Sequence, residues 1–114
     1  MTERVQISAV ADLSLFGTRY IAKKIRSLVE DALSRAPTVE IDFSGIDVTQ
    51  SFVDELLGPL ILRQGDSALE RLGFRGCSDN VRAIISFVIA GRLQDYGRLH
   101  QAGEAPEKST GAPL

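Results

Sequence analysis

The chain has 114 residues, of which 44% are hydrophobic and 25% are charged. This length is close to that of one ordinary domain, and the composition is typical of a chain that folds around a core rather than of a disordered one. Thirteen basic residues against fifteen acidic ones give a net charge of −2. Such a balance is unlike the strongly basic composition of nucleic-acid binding domains, so we expect no nucleic-acid partner.

Side chains that support metal binding or nucleophilic catalysis are scarce. Cys77 is the only cysteine and His100 the only histidine, so a thiolate zinc site is excluded and a Ser-His-Asp triad would depend on a single histidine. No spacing like that of a calcium-binding loop occurs. We therefore expect no enzymatic activity, no cofactor and no metal ion.

Neither a signal peptide nor a membrane span is predicted. The first six residues lack the basic and apolar regions of a signal peptide. The most apolar stretch, residues 81–93, is interrupted by Arg82 and Arg92 and is shorter than the roughly 20 residues that cross a bilayer. We expect a cytoplasmic protein that does not bind a membrane.

The first half of the chain alternates between strand and helix periods. Residues 5–10 alternate apolar and polar side chains, which predicts a strand with one buried face. Residues 19–35 repeat apolar side chains at helical spacing, with Thr18 as N-cap and an end before Pro37. Residues 38–43 alternate again, which predicts a second strand that is followed by a loop.

The second helix is predicted to begin at Ser51, as its cap, with Asp54 three residues later in a variant of the capping box. Pro59 removes a backbone donor inside this helix, so we expect a kink or an early end there. A further helical turn over 66–72 and a weak strand over 73–77 follow.

The last helix is predicted over residues 81–95, with its cap in residues 78–80. Its apolar side chains spread beyond one stripe, which is compatible with a fully packed core helix or with a surface that pairs with a second copy. The residues proposed for such self-association are Ile85, Val88 and Ile89.

The order strand, helix, strand, helix, strand, helix predicts a small single-domain α/β fold, with helices packed on a mainly parallel sheet. We assign residues 1–100 to this domain. Residues 101–114 are rich in glycine, proline and polar side chains and are predicted to be a disordered tail.

Residues 39–58, VEIDFSGIDVTQSFVDELLG, resemble the central segment of the STAS domain of sulfate transporters and anti-sigma-factor antagonists. The resemblance is closer to a STAS-like family of bacterial proteins without a settled function, in which Asp-Phe-x-Gly ends a strand and Ser-Phe-x-Asp-Glu opens a helix. Residues 17–19 and 80–82 fit the flanking positions. The likeness extends over about residues 5–95.

The resemblance implies a STAS-like fold and a regulatory role without chemistry of its own. In anti-sigma-factor antagonists, the residue aligned with Ser51 is phosphorylated by a partner kinase of the GHKL ATPase type. The unphosphorylated protein binds that partner and displaces a sigma factor. Ser51 is therefore the candidate phosphoacceptor, and the residues expected to contact the partner are Asp42, Gly45, Asp47, Thr49, Gln50, Asp54 and Glu55.

Three other interpretations stay open at this point. Ser51 could serve only as a helix cap. The protein could be a self-associating module, a homodimer paired through its last helix. An enzyme or small-ligand binder would use the acidic loop, and it would need a concave pocket beside Asp42 and Ser51.

Overall fold

In the computed structural model, residues 1–104 are described, with side chains through residue 100. The described residues form five strands: β1 (Thr2–Gln6), β2 (Leu15–Phe16), β3 (Thr38–Asp42), β4 (Asp47–Val48) and β5 (Leu72–Arg75). They also form four α-helices: α1 (Arg19–Arg35), α2 (Gln50–Gln64), α3 (Asp66–Glu70) and α4 (Asp79–Glu104). The first residues of the predicted tail, 101–104, continue α4, and the rest of that tail lies outside the described residues.

Strands β1, β3 and β5 form a parallel sheet in that order, with Val5 opposite Ile41 and Ile41 opposite Phe74. Each connection within this sheet contains a helix, as parallel pairing requires. The chain crosses from β1 to β3 and then from β3 to β5, in the same direction across the sheet. Because such crossovers are right-handed, α1 and α2 lie on the same face of the sheet. The predicted α/β class, with helices packed on a mainly parallel sheet, is confirmed.

The opposite face of the sheet is polar. Glu40 lies between two arginines and pairs with Arg4 at 3.2 Å and with Arg75 at 3.4 Å. The sheet therefore has helices on one side and a charged surface on the other.

The structure corrects the boundaries of β1. The sequence pattern predicted a strand over 5–10, but the strand spans Thr2–Gln6, and a 3-10 turn over Ile7–Ala9 follows. Gln6 is paired with Asp42, the last residue of β3, so β1 has no partner beyond that point. Ile7 still continues the buried set, which is why the alternation seemed to extend further.

A second, two-stranded sheet replaces the loop that was predicted before α2. In it β2 and β4 pair in parallel, with Leu15 opposite Asp47 and Phe16 opposite Val48. Two residues are too few to show a strand period in a sequence. This short sheet braces the segment that leads into α2.

Helix α1 matches its predicted bounds. The Thr18 hydroxyl accepts a hydrogen bond from the Ile21 amide, and the helix ends at Arg35, with Ala36 as its C-cap directly before Pro37. The Arg71 guanidinium donates to the carbonyls of Leu33, Ala36 and Pro37. It thereby satisfies carbonyls at the helix end that have no partner within the helix.

The early end predicted at Pro59 is wrong, since α2 continues to Gln64. Proline has no amide hydrogen, so the carbonyl of Glu55, four residues earlier, lacks its usual helical donor. Arg26 of α1 donates through Nη1 to that carbonyl. The neighbouring helix thus supplies the hydrogen bond that the proline removes.

The core lies between the sheet and helices α1, α2 and α4, and α2 packs against both other helices. The Phe52 ring meets the Phe16 ring edge-on at 5.7 Å. Helix α4 runs beyond α2: the Tyr96 ring packs directly on Gly65, where α2 ends, and residues 97–100 are exposed. Of the helices within residues 1–104, none has the combined length and apolarity of a bilayer span.

Candidate functional site

The segment between β3 and α2 lies at the carboxyl edge of the parallel sheet, where α/β proteins usually bind their ligands. Its backbone is held at several points. The Asp47 amide donates to the Ser14 carbonyl at 2.8 Å, and the Thr49 amide donates to the Phe16 carbonyl at 3.1 Å. The segment is therefore attached to the chain that precedes α1.

The buried Asp42 side chain holds the turn at the start of this segment. The side chain is 7% exposed, and its Oδ1 accepts hydrogen bonds from the Ser44 hydroxyl at 2.6 Å and the Ser44 amide at 2.9 Å. These bonds lower the pKa of Asp42, against the opposing effect of desolvation. Asp42 was predicted to contact a partner, and the structure places it beneath the surface as part of the turn.

Thr49, and not Ser51, is the N-cap of α2. The Thr49 hydroxyl accepts a hydrogen bond from the Phe52 amide at 3.1 Å, and its backbone is extended. The predicted cap is therefore wrong by two residues, because threonine and serine both cap well and Gln50 already belongs to the first turn. Ser51 is the second residue of the helix, and its side chain is exposed.

Asp54 and Glu55 are held in ion pairs with neighbouring helices. Arg92 of α4 donates to both oxygens of Asp54, each at 2.6 Å. Glu55 pairs with Arg26 at 2.9 Å and with Arg19 at 3.2 Å. The hydrogen bond from Arg26 lowers the pKa of Glu55, and the bond to Asp54 raises the pKa of Arg92. These two acids, also predicted to contact a partner, connect α2 to α1 and α4.

Two exposed leucines beside the loop were not identified from the sequence as site residues. Leu13 and Leu15 are 45% and 56% exposed, and Leu15 lies opposite Asp47 in the short sheet. The alternation that buries Phe16 is the available signal, since it turns Leu15 to the other side. We call the exposed set the loop surface; its members are Leu13, Leu15, Gly45, Asp47, Gln50 and Ser51.

The structure does not place the proposed self-association residues on an exposed face. Ile85 and Val88 are 5% and 4% exposed and belong to the chain's own core, and Ile89 is partly buried against it. The broad apolar surface of α4 is used mainly in packing against α2. Phe87 is the large apolar side chain that α4 exposes between residues 79 and 96.

The small-ligand interpretation needs a concave pocket beside Asp42 and Ser51. Grooves on the described part of the chain lie beside β1 and α1, between α2 and α4, beside β5 and between α1 and α2, and neither of these two side chains lines them. Within residues 1–104, no three histidine, cysteine or carboxylate side chains are grouped as metal ligands. The loop surface consists of exposed backbone, leucine and polar side chains.

This geometry defines a class of protein. It is a small α/β domain with helices on one face of a parallel sheet and an exposed loop at the carboxyl edge of that sheet. A family model described as a STAS-like domain of unknown function (DUF4325) matches residues 22–82. That match covers more than half of the chain, so the chain belongs to this family. No curated protein and no solved structure matches the chain.

Proposed function

We propose that the protein is a non-enzymatic regulatory module that binds a protein partner through the loop surface. The partner class is a GHKL-type ATPase or kinase, and phosphorylation of Ser51 releases it. The observation that carries the proposal is the exposed hydroxyl in the first turn of α2, which follows a braced loop whose Asp47 lies opposite the exposed Leu15. The partner class itself comes from the likeness to anti-sigma-factor antagonists.

The composition of the loop surface suits protein binding. Leu13 and Leu15 supply apolar area, and Asp47, Gln50 and Ser51 supply polar groups around it, which resembles the usual arrangement of protein interfaces. The backbone between β3 and α2 is already fixed by hydrogen bonds and by the Thr49 cap. Binding would therefore cost little conformational entropy.

A phosphate on Ser51 would change the surface charge without opposing α2. The amides of the first helical turn and the helix dipole favour an anion at that position. Asp54 and Glu55 follow Ser51 by three and four residues and so lie on the same helix face, but both are paired with arginines. The added charge of about −1.5 to −2 would act mainly on the partner and on Asp47.

Partner capture from the source cells, with identification by mass spectrometry, tests this proposal. We expect the wild-type chain to recover an ATPase of the GHKL type, and Ser51→Asp and Leu15→Asp to lose it. Ser67→Asp is the matched control, because Ser67 is also exposed and also the second residue of a helix. That variant should retain the partner.

Recovery of no such ATPase by any form would contradict the proposal, as would equal recovery by wild type and Leu15→Asp. Phosphorylation is tested separately by the intact mass of protein purified from its native host, with and without phosphatase. A phosphate located on Ser51 by peptide fragmentation is the expected result.

A further inference from the structure

We propose that the free edge of β1 and the groove between β1 and α1 bind an extended segment of a partner protein, which adds to the sheet as a fourth strand. The side chains of that segment alternate between apolar and acidic. The groove has a volume of about 480 Å³. Its floor is formed by Val5, Val10, Leu28 and Ala32, with Lys24 and Arg35 at its rim.

The hydrogen bonds of β3 show which of its residues face which neighbour. The Val39 amide donates to the Arg71 carbonyl and the Phe43 amide donates to the Arg75 carbonyl, both at 2.8 Å. Odd-numbered residues of β3 therefore bond to β5. Because the bonding direction alternates along a strand in a parallel sheet, the even-numbered residues of β3 bond to β1.

This alternation directs the peptide groups of the even-numbered residues of β1 outward, and Arg4 is the central one of these. Glu40 lies opposite Arg4, so the parallel ladder uses the carbonyl of Glu3 and the amide of Val5. Both the amide and the carbonyl of Arg4 then point to the edge of the sheet, where β1 has no neighbouring strand among the described residues. An unpaired edge of this kind is a template for an added strand.

The apolar floor of the groove determines which residues the partner would carry at every second position. Leu28 is 43% exposed, and it lies with Val5 on the helical side of the sheet. A strand placed beside β1 would direct every second side chain onto this floor. Apolar side chains at those positions would cover Leu28, which the rest of the described chain leaves open.

Charged side chains of the sheet determine which residues the partner would carry at the alternate positions. On the polar face of the sheet, Arg4 and Arg75 share the single carboxylate of Glu40, whereas Arg35 at the groove is already paired with Glu3 at 2.8 Å. Acidic side chains at the alternate positions would oppose Arg4 across the strands, which is a favourable pairing. A second copy of this chain fits less well. If two β1 strands paired antiparallel with Glu3 or Arg4 at the centre, that residue would lie directly opposite its own copy, which places like charges together.

Two synthetic peptides of eight residues test the proposal with the full chain. One alternates valine and glutamate, and the other replaces each glutamate with lysine. We expect the glutamate peptide to bind at least about tenfold more tightly, a difference of about 1.4 kcal/mol. Hydrogen exchange followed by NMR should show the Arg4 amide protected on binding, while the Val5 amide, already bonded within the sheet, changes little.

Paired variants separate the edge from the groove. Arg4→Pro removes the outward amide, which an edge strand tolerates, and should abolish binding, whereas Arg4→Ala keeps the amide and should retain part of it. Leu28→Asp should weaken binding at least about tenfold, and Phe87→Asp, an exposed control on α4, should leave it unchanged.

Several results would overturn the proposal. These are equal binding of the two peptides, binding that leaves exchange of the Arg4 amide unaltered, and a wild-type dimer in light scattering that Arg4→Pro dissociates. If Arg4→Pro does not fold, the Leu28→Asp and Phe87→Asp pair decides the matter. Ser51→Asp and Leu15→Asp should not alter peptide binding, so failure here is distinct from failure of the loop surface.

Discussion

Gly45 and Gly76 share a left-handed backbone, with φ of 75° and 70°, but differ in their surroundings. A Cβ on Gly45 would meet no atom within 4 Å. A Cβ on Gly76 would overlap the Ser44 hydroxyl and would approach the Ser44 amide nitrogen to 2.8 Å. The loops that follow β3 and β5 are therefore in direct backbone contact at Gly76.

Alanine substitution at these two glycines should give unequal losses of stability. Gly45→Ala is expected to lower the free energy of unfolding by about 1 kcal/mol, from backbone strain alone. Gly76→Ala adds steric overlap with Ser44 and should cost at least about 2 kcal/mol more. Urea denaturation measures both, and equal losses would contradict the close contact between the two loops.

Helix α2 depends on groups outside its own sequence. Its cap is Thr49, and the carbonyl that Pro59 leaves free is bonded by Arg26 from another helix. Its acidic side chains Asp54 and Glu55 are paired with α4 and α1. The stability of α2 should therefore respond to substitutions of these outside groups.

The cap can be identified by two substitutions. Thr49→Ala should lower the free energy of unfolding by about 1 kcal/mol, because the Phe52 amide loses its acceptor. Ser51→Ala should change it by less than about 0.5 kcal/mol, since an exposed position in the first turn has no such bond. Thermal or urea denaturation distinguishes them, and the reverse order would restore Ser51 as the cap.

The compensation at Pro59 predicts an energetic coupling between two helices. Arg26→Met should cost about 2 kcal/mol, because it removes a charged donor from the Glu55 carbonyl and side chain. In a Pro59→Ala background, where the amide of residue 59 can donate to that carbonyl, the same substitution should cost about 1 kcal/mol less.

Arg19→Met is the control for this cycle, because Arg19 pairs with the Glu55 side chain at an exposed position. It should cost less than about 1 kcal/mol in both backgrounds. A double-mutant cycle by urea denaturation gives the coupling. Purely additive costs of Arg26→Met and Pro59→Ala would show that Arg26 does not replace the missing amide.

The sequence predicted correctly those helices and strands whose ends and buried faces are determined by residues within or next to them. Helix α1 matches its expected bounds because Thr18 and Pro37 mark its ends and its apolar stripe is regular. The early end at Pro59 was predicted wrongly because the compensating donor, Arg26, lies 29 residues before the Glu55 carbonyl that it bonds. The strand pair β2 and β4 was missed because two residues show no period.

The sequence predicted where the candidate loop lies, but not how the acidic side chains around it are paired. The motif at residues 42–58 located the loop and the exposed Ser51, yet it could not show that Asp54 and Glu55 are neutralised by arginines. Those arginines come from distant segments, and Arg92 stands 38 residues after Asp54. Ile85 and Val88 were similarly ambiguous, since an apolar helix face has the same sequence whether it meets its own core or a second copy.

At the scale of the whole molecule, the ion pairs between helices make stability depend on pH. The pKa values of Glu55 and Asp42 are lowered in the folded state, by the hydrogen bond from Arg26 and by the bonds from Ser44. Groups with lowered pKa values bind protons more weakly in the folded chain than in the unfolded one. Their contribution is complete above the unfolded values, about pH 4, and is lost as the pH falls through the folded values.

Removal of the Glu55 charge should flatten this dependence. Glu55→Gln is expected to be less stable than wild type at pH 7, and the difference should shrink below about pH 4, where the unfolded wild-type chain begins to bind a proton at Glu55 more strongly than the folded chain does. Urea denaturation at several pH values measures it. A difference that stays constant down to pH 3 would show that the Glu55 carboxylate is not stabilised by its arginines.

Helix α4 has 26 residues and so measures about 39 Å, whereas the 15 residues of α2 span about 22 Å. Past the Tyr96 ring, roughly 12 Å of helix projects from the packed layers. Such a molecule should rotate in water more slowly about axes across α4 than about the axis along it. Nitrogen-15 relaxation would therefore assign amides along α4 a longer apparent correlation time than amides whose N–H bonds lie perpendicular to it.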